Sequence, residues 1–202
     1  KALLEDGFDA DRIFEIPPYV DTNVFSPAEK DTQARLRKQF DIPEDAIVIC
    51  SVGTIGYRKG TDVLIEMMEE LGKTRDDIYF LLAGPHVKGT EDTPTELSTR
   101  IEKAGQSENF RLLGQVQDIA SVFKVSDFFV LPSRAEGFGI VLVESLASGC
   151  ITIVSNLEGI FDSIITHEQD GFIIKNYDGK EYAKTILKLI DLPDKLDQVR
   201  KA

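Results

Sequence analysis

The chain has 202 residues, 42% of them hydrophobic, with 23 Lys plus Arg against 35 Asp plus Glu, a formal net charge of −12. The apolar content excludes a disordered chain, and no apolar run approaches the ~20 residues that cross a bilayer. The acidic excess argues against a binder of nucleic-acid backbones, whose affinity rests on Lys and Arg, but leaves room for a small anion held by one local cation.

The chain opens Lys1-Ala2-Leu3-Leu4-Glu5, with neither an initiator Met nor the pattern of a signal peptide, so a piece of something longer is expected. Residues 1–27 read as an irregular lead rich in turn signals: Pro17-Pro18, Asp21-Thr22-Asn23 and Ser26-Pro27. A helix is predicted over residues 27–40, with Ser26 as N-cap and Pro27 in the first turn. Short, β-branched apolar runs then predict buried strands at 46–52, 78–83, 110–113, 127–131, 151–154 and 171–174. Helical spacing falls between them. The segment 61–71 places Val63, Leu64, Met67, Met68 and Leu71 on one stripe, and further helices are predicted at 94–104, 119–124, 139–148, 160–167 and 180–190. This alternation predicts one α/β domain over residues 28–202: a doubly wound, mostly parallel Rossmann-like sheet with helices on both faces.

Cys50 and Cys150 each lie in or beside an apolar stretch, so two buried thiols are expected rather than a disulfide. His86 and His167 have no Cys or His at ligand spacing, which argues against a zinc site.

In doubly wound sheets ligands bind beyond the carboxyl ends of the strands, so the loops there carry the search. The first is Gly53-Thr54-Ile55-Gly56-Tyr57-Arg58-Lys59-Gly60, which joins a strand to a helix and sets two cations near a helix start. That arrangement suits a phosphate, but G-x-G-x-x-G is absent and Lys59 precedes Gly60 instead of following it as a P-loop lysine does. A solvated turn with surface cations remains open on this loop alone. The second loop follows the fourth strand. There Gly137-Phe138-Gly139 opens a helix, so free backbone N–H groups and the positive helix end could receive a diphosphate. Glu144 follows within an apolar helix (Ile140, Val141, Leu142, Val143, Leu146, Ala147). Such a helix is expected to be buried, and its carboxylate then needs a partner, either ligand hydroxyls or a structural Arg or amide. Glu136, eight residues earlier, is a group at the cleft mouth or a solvated loop carboxylate.

These residues spell P-S-x-x-E-G-F-G-x-x-x-x-E-S-L-A-S-G, with Glu136 and Glu144 as E-x7-E. The pattern resembles the donor-binding motif of retaining glycosyltransferases of family 4, which have the two-Rossmann GT-B architecture. Other stretches agree in order. Ile16-Pro17-Pro18-Tyr19-Val20-Asp21-Thr22-Asn23-Val24-Phe25-Ser26-Pro27 resembles the family's interdomain stretch, and Gly53 with Arg58-Lys59-Gly60 its diphosphate loop. Leu81-Leu82-Ala83-Gly84 with Gly114 resembles its middle strands, and Asp170-Gly171-Phe172-Ile173-Ile174 its last turn and strand.

The resemblance is to the C-terminal, donor-binding half. It implies transfer of a sugar from a nucleotide-sugar, UDP- or GDP-linked, with retention, to an acceptor held by an N-terminal domain absent from this chain. The 202 residues alone are expected to be inactive. Glu136 would contact the transferred sugar, with Gly137, Phe138, Gly139 and Ile140 offering amides to sugar and diphosphate. Glu144 would accept the ribose hydroxyls. Lys59, with Gly53, Thr54 and Arg58 around it, would neutralise the departing diphosphate, with Glu136 and Lys59 as the catalytic pair and no metal or other cofactor required. No nucleic-acid partner is expected. A cytoplasmic protein follows, with any membrane contact made through the missing half. Thr54 stands where many members carry Arg, Pro18-Tyr19 replaces Asn-Gly in the linker, and Glu158-Gly159-Ile160-Phe161-Asp162 departs from Gly-Gly-x-x-Glu. The alternatives are a non-catalytic module of the same fold and a GT-B sugar epimerase, which would need a histidine beside Glu136.

Overall fold

The structure of the chain, a computed structural model, describes residues 2–14, 19–86 and 94–201. The Ile16-Pro17-Pro18 portion of the lead therefore lies outside the described residues. The lead carries a short helix, α1 (Ala2–Glu5), and a single 3-10 turn at Ala10–Arg12. The elements that follow are α2 (Lys30–Gln39), β1 (Ile47–Val52), α3 (Thr61–Leu71), β2 (Ile78–Ala83), α4 (Pro94–Lys103), β3 (Phe110–Gly114), α5 (Ile119–Val125), β4 (Phe128–Leu131), α6 (Ile140–Ala147), β5 (Ile151–Ser155), β6 (Phe172–Ile174), α7 (Gly179–Ile190) and α8 (Pro193–Lys201).

All six strands are parallel, in the order β3-β2-β1-β4-β5-β6. Parallel strands need crossovers, and the crossovers cover both faces, so alternate residues of each strand are sorted into two cores. On β1, Ile49 faces one core while Val48, Cys50 and Val52 face the other; on β4, Phe128 and Val130 part company with Phe129 and Leu131 in the same way. The first core is closed by α3, α4, α7 and α8, through Met67, Leu97, Ile186 and Val199 among others. The second is closed by α2, α5 and α6, with Phe123, Leu142 and Phe161 inside. Cys50 and Cys150 are both free thiols, buried in the second core.

The structure corrects three expectations. The helix expected over 27–40 begins only at Lys30, with Glu29 at the N-cap and no side-chain cap, because Pro27 is packed against Gly149 (a Cβ there would stand 3.1 Å from Pro27 Cγ). Residues 160–167 form turns, not a helix: their amides bond Leu157 and Phe161 carbonyls, and the Asp170 carboxylate takes the Thr166 amide at 2.7 Å and closes the segment. The run Ile160, Ile164, Ile165, Thr166 is β-branched and of low helix propensity, and burying Phe161 fixes its course. Finally, α6 is apolar all round yet buries only Leu142 and Ser145.

The strand order places a topological switch between β1 and β4: the chain leaves β1 towards β2 and β3, and leaves β4 towards β5 and β6. A crevice opens at the carboxyl ends of such a pair. The two loops singled out in the sequence are the loops that leave β1 and β4.

Candidate donor site at the sheet switch point

The loop after β1 is shaped by its neighbours on β2. The Gly53 amide donates to Ala83 O (2.9 Å) and the Ile55 amide to Pro85 O (3.0 Å), which extends the strand pairing past the end of β1. Thr61 Oγ1 accepts the Gly56 amide at 2.9 Å and reaches Gly56 O at 3.2 Å, closing the loop onto the start of α3. Gly84 makes the close approach possible: a Cβ on it, at φ +148, would lie 1.8 Å from Gly53 O. Tyr57–Lys59 then form a 3-10 turn, and the Lys59 stem crosses Gly53, whose Cβ would stand 3.3 Å from Lys59 Cε.

The loop after β4 is tied directly to that turn. The Arg134 amide donates to Arg58 O (2.8 Å), and Arg58 Nη1 donates back to Ala135 O (2.9 Å). The Arg134 guanidinium donates to Tyr57 O and to both oxygens of Asp62, each at 2.7 Å. It also lies 3.8 Å from the Tyr57 ring centroid and 4.9 Å from that of Tyr177. Burial raises the Asp62 pKa, but the hydrogen bonds and charge of Arg134 outweigh it and hold the carboxyl below its ordinary value. Sequence reasoning passed over Arg134, Asp62, Tyr57 and Tyr177; the available signal was an arginine two residues before Glu136 in a loop facing a Tyr-Arg-Lys turn.

The cross-linked loops bring Lys59 and Glu136 together. Lys59 Nζ donates to Glu136 Oε1 at 2.5 Å, with the side chains 15% and 6% exposed. Ser133 Oγ donates to the same oxygen at 2.7 Å, and Ser133 is itself held by Ser155 Oγ, which donates to its carbonyl at 2.5 Å. Glu136 is thus a fixed, paired group and not a solvated loop carboxylate. The first loop is likewise not a free turn: Lys59 is held by Glu136, and Arg58, though exposed, donates to Ala135 O.

Past Glu136 the backbone is rich in free donors. Among the described residues the amides of Gly137, Phe138, Gly139 and Ile140 donate to no acceptor, and the N-cap position, Gly139, makes no side-chain cap. The amide of Thr54 on the facing loop is likewise free within the described residues. These donors stand at the positive end of α6. Ile140 is 44% exposed there. Glu144, one turn on, is partly buried, and among the described residues its carboxylate has neither a hydrogen bond nor an ion pair. Desolvation raises its pKa above the ordinary value. The alternative of a structural Arg or amide partner for Glu144 is therefore not met. Among the described residues no hydrogen bond or ion pair links Glu144 to the Lys59–Glu136 pair.

The two histidines stand at different places on the sheet. His167 lies beyond β6 at the sheet edge, where its Nδ1 accepts the Ile173 amide at 3.0 Å. His86 forms a bridge with Ile55 beside the first loop. Among the described residues no three His, Cys, Asp or Glu side chains are grouped as metal ligands, and no helix is long and apolar enough to cross a membrane.

Residues 32–202 match the family Glycosyl transferases group 1. The chain belongs to that family. This group 1 domain is 28% identical over 192 residues to mannosylfructose-phosphate synthase of Agrobacterium fabrum, covering 92% of this chain and 42% of that protein. It is 30% identical over 178 residues to the lipopolysaccharide core biosynthesis mannosyltransferase LpsB of Rhizobium meliloti, covering 85% of this chain and 49% of that one. The chain thus spans less than half the length of these curated relatives. Among solved structures, the C-terminal domain of a group 1 family protein (LpcC) from Francisella tularensis superposes with a TM-score of 0.80 at 26% identity, covering 90% of this chain and 93% of that one. Anabaena Alr3699/HepE in complex with UDP and glucose superposes with a TM-score of 0.85 at 22% identity, covering 98% of this chain and 53% of that one. The fold is the C-terminal half of a GT-B glycosyltransferase, as the sequence motif implied.

Proposed function

We propose that this chain is the donor-binding half of a retaining glycosyltransferase, and that the switch-point crevice between β1 and β4 takes a nucleotide-sugar. The observation that carries the reading is the convergence of one half-buried cation, a fixed carboxylate and a row of amides free among the described residues, on two loops that the fold brings together. Lys59 would meet the diphosphate, aided by the Thr54 amide and by those of Gly137 and Phe138 at the helix end. Glu136 would accept hydroxyls of the transferred sugar. Glu144 would accept both ribose hydroxyls, which supply the partner its half-buried carboxylate lacks. Gly53 keeps the floor of the crevice open under the Lys59 stem. Arg58 fastens the loops through Ala135 O, a bond that occupies one of its five N–H donors and leaves its charge to face the diphosphate.

As the sugar bond breaks, negative charge grows on the leaving diphosphate. A fixed ammonium and oriented amides stabilise that charge without reorganising, so the chemistry requires no metal. The acceptor would be held by an N-terminal half, residues 1–27 would join the two halves, and residues 28–202 alone would bind donor without transferring sugar. That two-half protein would work in the cytoplasm, with any membrane contact made through the N-terminal half. The UDP bound in Alr3699/HepE makes uracil the first base to test.

The test is a thermal-shift screen of the 202-residue chain with UDP-, GDP- and ADP-sugars, followed by titration calorimetry of the best one. One class is expected to stabilise the fold, and Glu144→Ala is expected to weaken its binding tenfold or more, about 1.4 kcal/mol. Unchanged affinity in Glu144→Ala would remove the ribose assignment; sugar transfer by this chain alone would contradict the division of labour.

A further inference from the structure

We propose that Glu136 does more than receive the sugar: by holding Lys59 it makes the site discriminate against a bare nucleoside diphosphate in favour of the sugar-bearing donor. The inference rests on the donor-site reading above. Lys59 is the cation of the crevice, and its ammonium is already engaged 2.5 Å from a carboxylate that is 6% exposed. At that separation, and with so little solvent to screen it, the carboxylate cancels most of the field that the lysine would present to a phosphate.

Glu136 cannot readily yield. Its Oε1 is also bonded by Ser133 Oγ at 2.7 Å, and Ser133 is anchored from β5 by Ser155. Lys59 is held in turn by that carboxylate, with its side chain only 15% exposed. The pair is therefore a fixed feature that every incoming ligand meets.

The two ligand chemistries meet it differently. An ionised carboxylate only accepts hydrogen bonds. A sugar brings hydroxyl donors, and Glu136 Oε2 makes no hydrogen bond among the described residues, so the donor gains contacts that offset the shared lysine. A bare diphosphate brings acceptors and negative charge; it gains nothing from Glu136, is repelled by it, and must compete for Lys59. Glu136 thus strengthens donor binding relative to diphosphate binding. After transfer, when the sugar has gone, the same carboxylate favours release of the diphosphate product.

The test is calorimetry of the 202-residue chain with UDP and with UDP-glucose as probes, and with GDP and ADP should neither bind. Glu136→Gln is close in shape and removes the charge. It is expected to bind UDP on the order of tenfold tighter than the unaltered chain, and its preference for UDP-glucose over UDP is expected to fall. Lys59→Ala is expected to weaken UDP binding, and adding Glu136→Gln to it should recover less than Glu136→Gln gains with Lys59 in place, because only the direct repulsion is relieved and there is no cation left to release. Thermal unfolding of each variant verifies folding; Glu136→Ala carries the same expectation should the glutamine variant unfold. If Glu136→Gln binds UDP no tighter, or if the gain survives undiminished in the Lys59→Ala background, the competition is refuted while the donor site stands. Failure of UDP, GDP and ADP to bind the unaltered chain and both Glu136 variants would refute the donor site itself.

Discussion

Glu144 should cost this fold stability, and replacing it should make the protein harder to unfold. Its carboxylate sits in the first turns of α6, partly withdrawn from water and unpaired among the described residues, and desolvation raises its pKa. An acid whose folded pKa lies above its unfolded value binds protons more tightly in the folded state. Its contribution to stability is present below the unfolded pKa and is lost as pH rises through the folded one. At pH 7.5 the charged group therefore works against folding. Glu144→Gln removes the charge and keeps the shape. Because the residue is only partly buried, the gain is held to roughly 0.5–1 kcal/mol, about 1–4 °C in Tm for a domain of this size. The measurement is scanning calorimetry of both proteins at pH 7.5 and at pH 4.5. The difference should be largest at pH 7.5 and shrink at the lower pH, where the unaltered carboxyl takes up its proton. With saturating donor the order should reverse, because the unaltered chain alone satisfies the ribose and gains the larger ligand-dependent rise in Tm. A Glu144→Gln protein less stable at pH 7.5, or a difference that does not change with pH, would show that the carboxylate has a structural partner and refute the argument.

Other expectations follow from the loop contacts. Arg134→Lys retains the charge but cannot span Tyr57 O and both oxygens of Asp62, so the Lys59 turn should loosen. Stability should fall by about 1 kcal/mol, allowing for the partial exposure of Asp62, and urea unfolding measures it. Donor affinity, followed by calorimetry, should fall by more than that stability change alone accounts for. Gly84→Ala drives a Cβ to 1.8 Å from Gly53 O at a φ of +148, so the carboxyl ends of β1 and β2 must part. A loss above ~3 kcal/mol is expected, seen as a lowered urea midpoint or failure to express in folded form. Leu142→Ala removes the fully buried contact that holds α6 to the second core and should cost about 2–5 kcal/mol by the same measurement.

The parts of the molecule legible in the sequence were those governed by short-range periodicity. The 61–71 stripe became α3 without adjustment, and the buried strands are continuous apolar runs because both their faces are covered. The failures came where tertiary contacts outrank local pattern. Pro27 reads as a helix-starting proline, but its ring is committed to Gly149, so α2 starts at Lys30. Residues 160–167 have helical spacing, but their turns are arranged to bury Phe161 and end at Asp170. The last helix, α8, was missed because Asp, Lys, Gln and Arg dominate it and only Val199 is buried.

The candidate site divides in the same way. Lys59 and Glu136 could be named from the motif, but 77 residues separate them, and nothing in local pattern says that they touch. The sheet order brings their loops together, and Arg134, Arg58 and Asp62 lock them, through contacts made largely to backbone carbonyls, which leave little trace in side-chain identity. The misjudged burial of α6 has the same origin. A helix apolar on every side was expected to lie within one domain's core, yet Ile140 is 44% exposed and only Leu142 and Ser145 are buried. Its apolar sequence exceeds what the interior of this half can cover. That excess stands beside the amides of Gly137, Phe138, Gly139 and Ile140 and the Glu144 carboxylate, which find no partner among the described residues, and it fits the donor crevice proposed above.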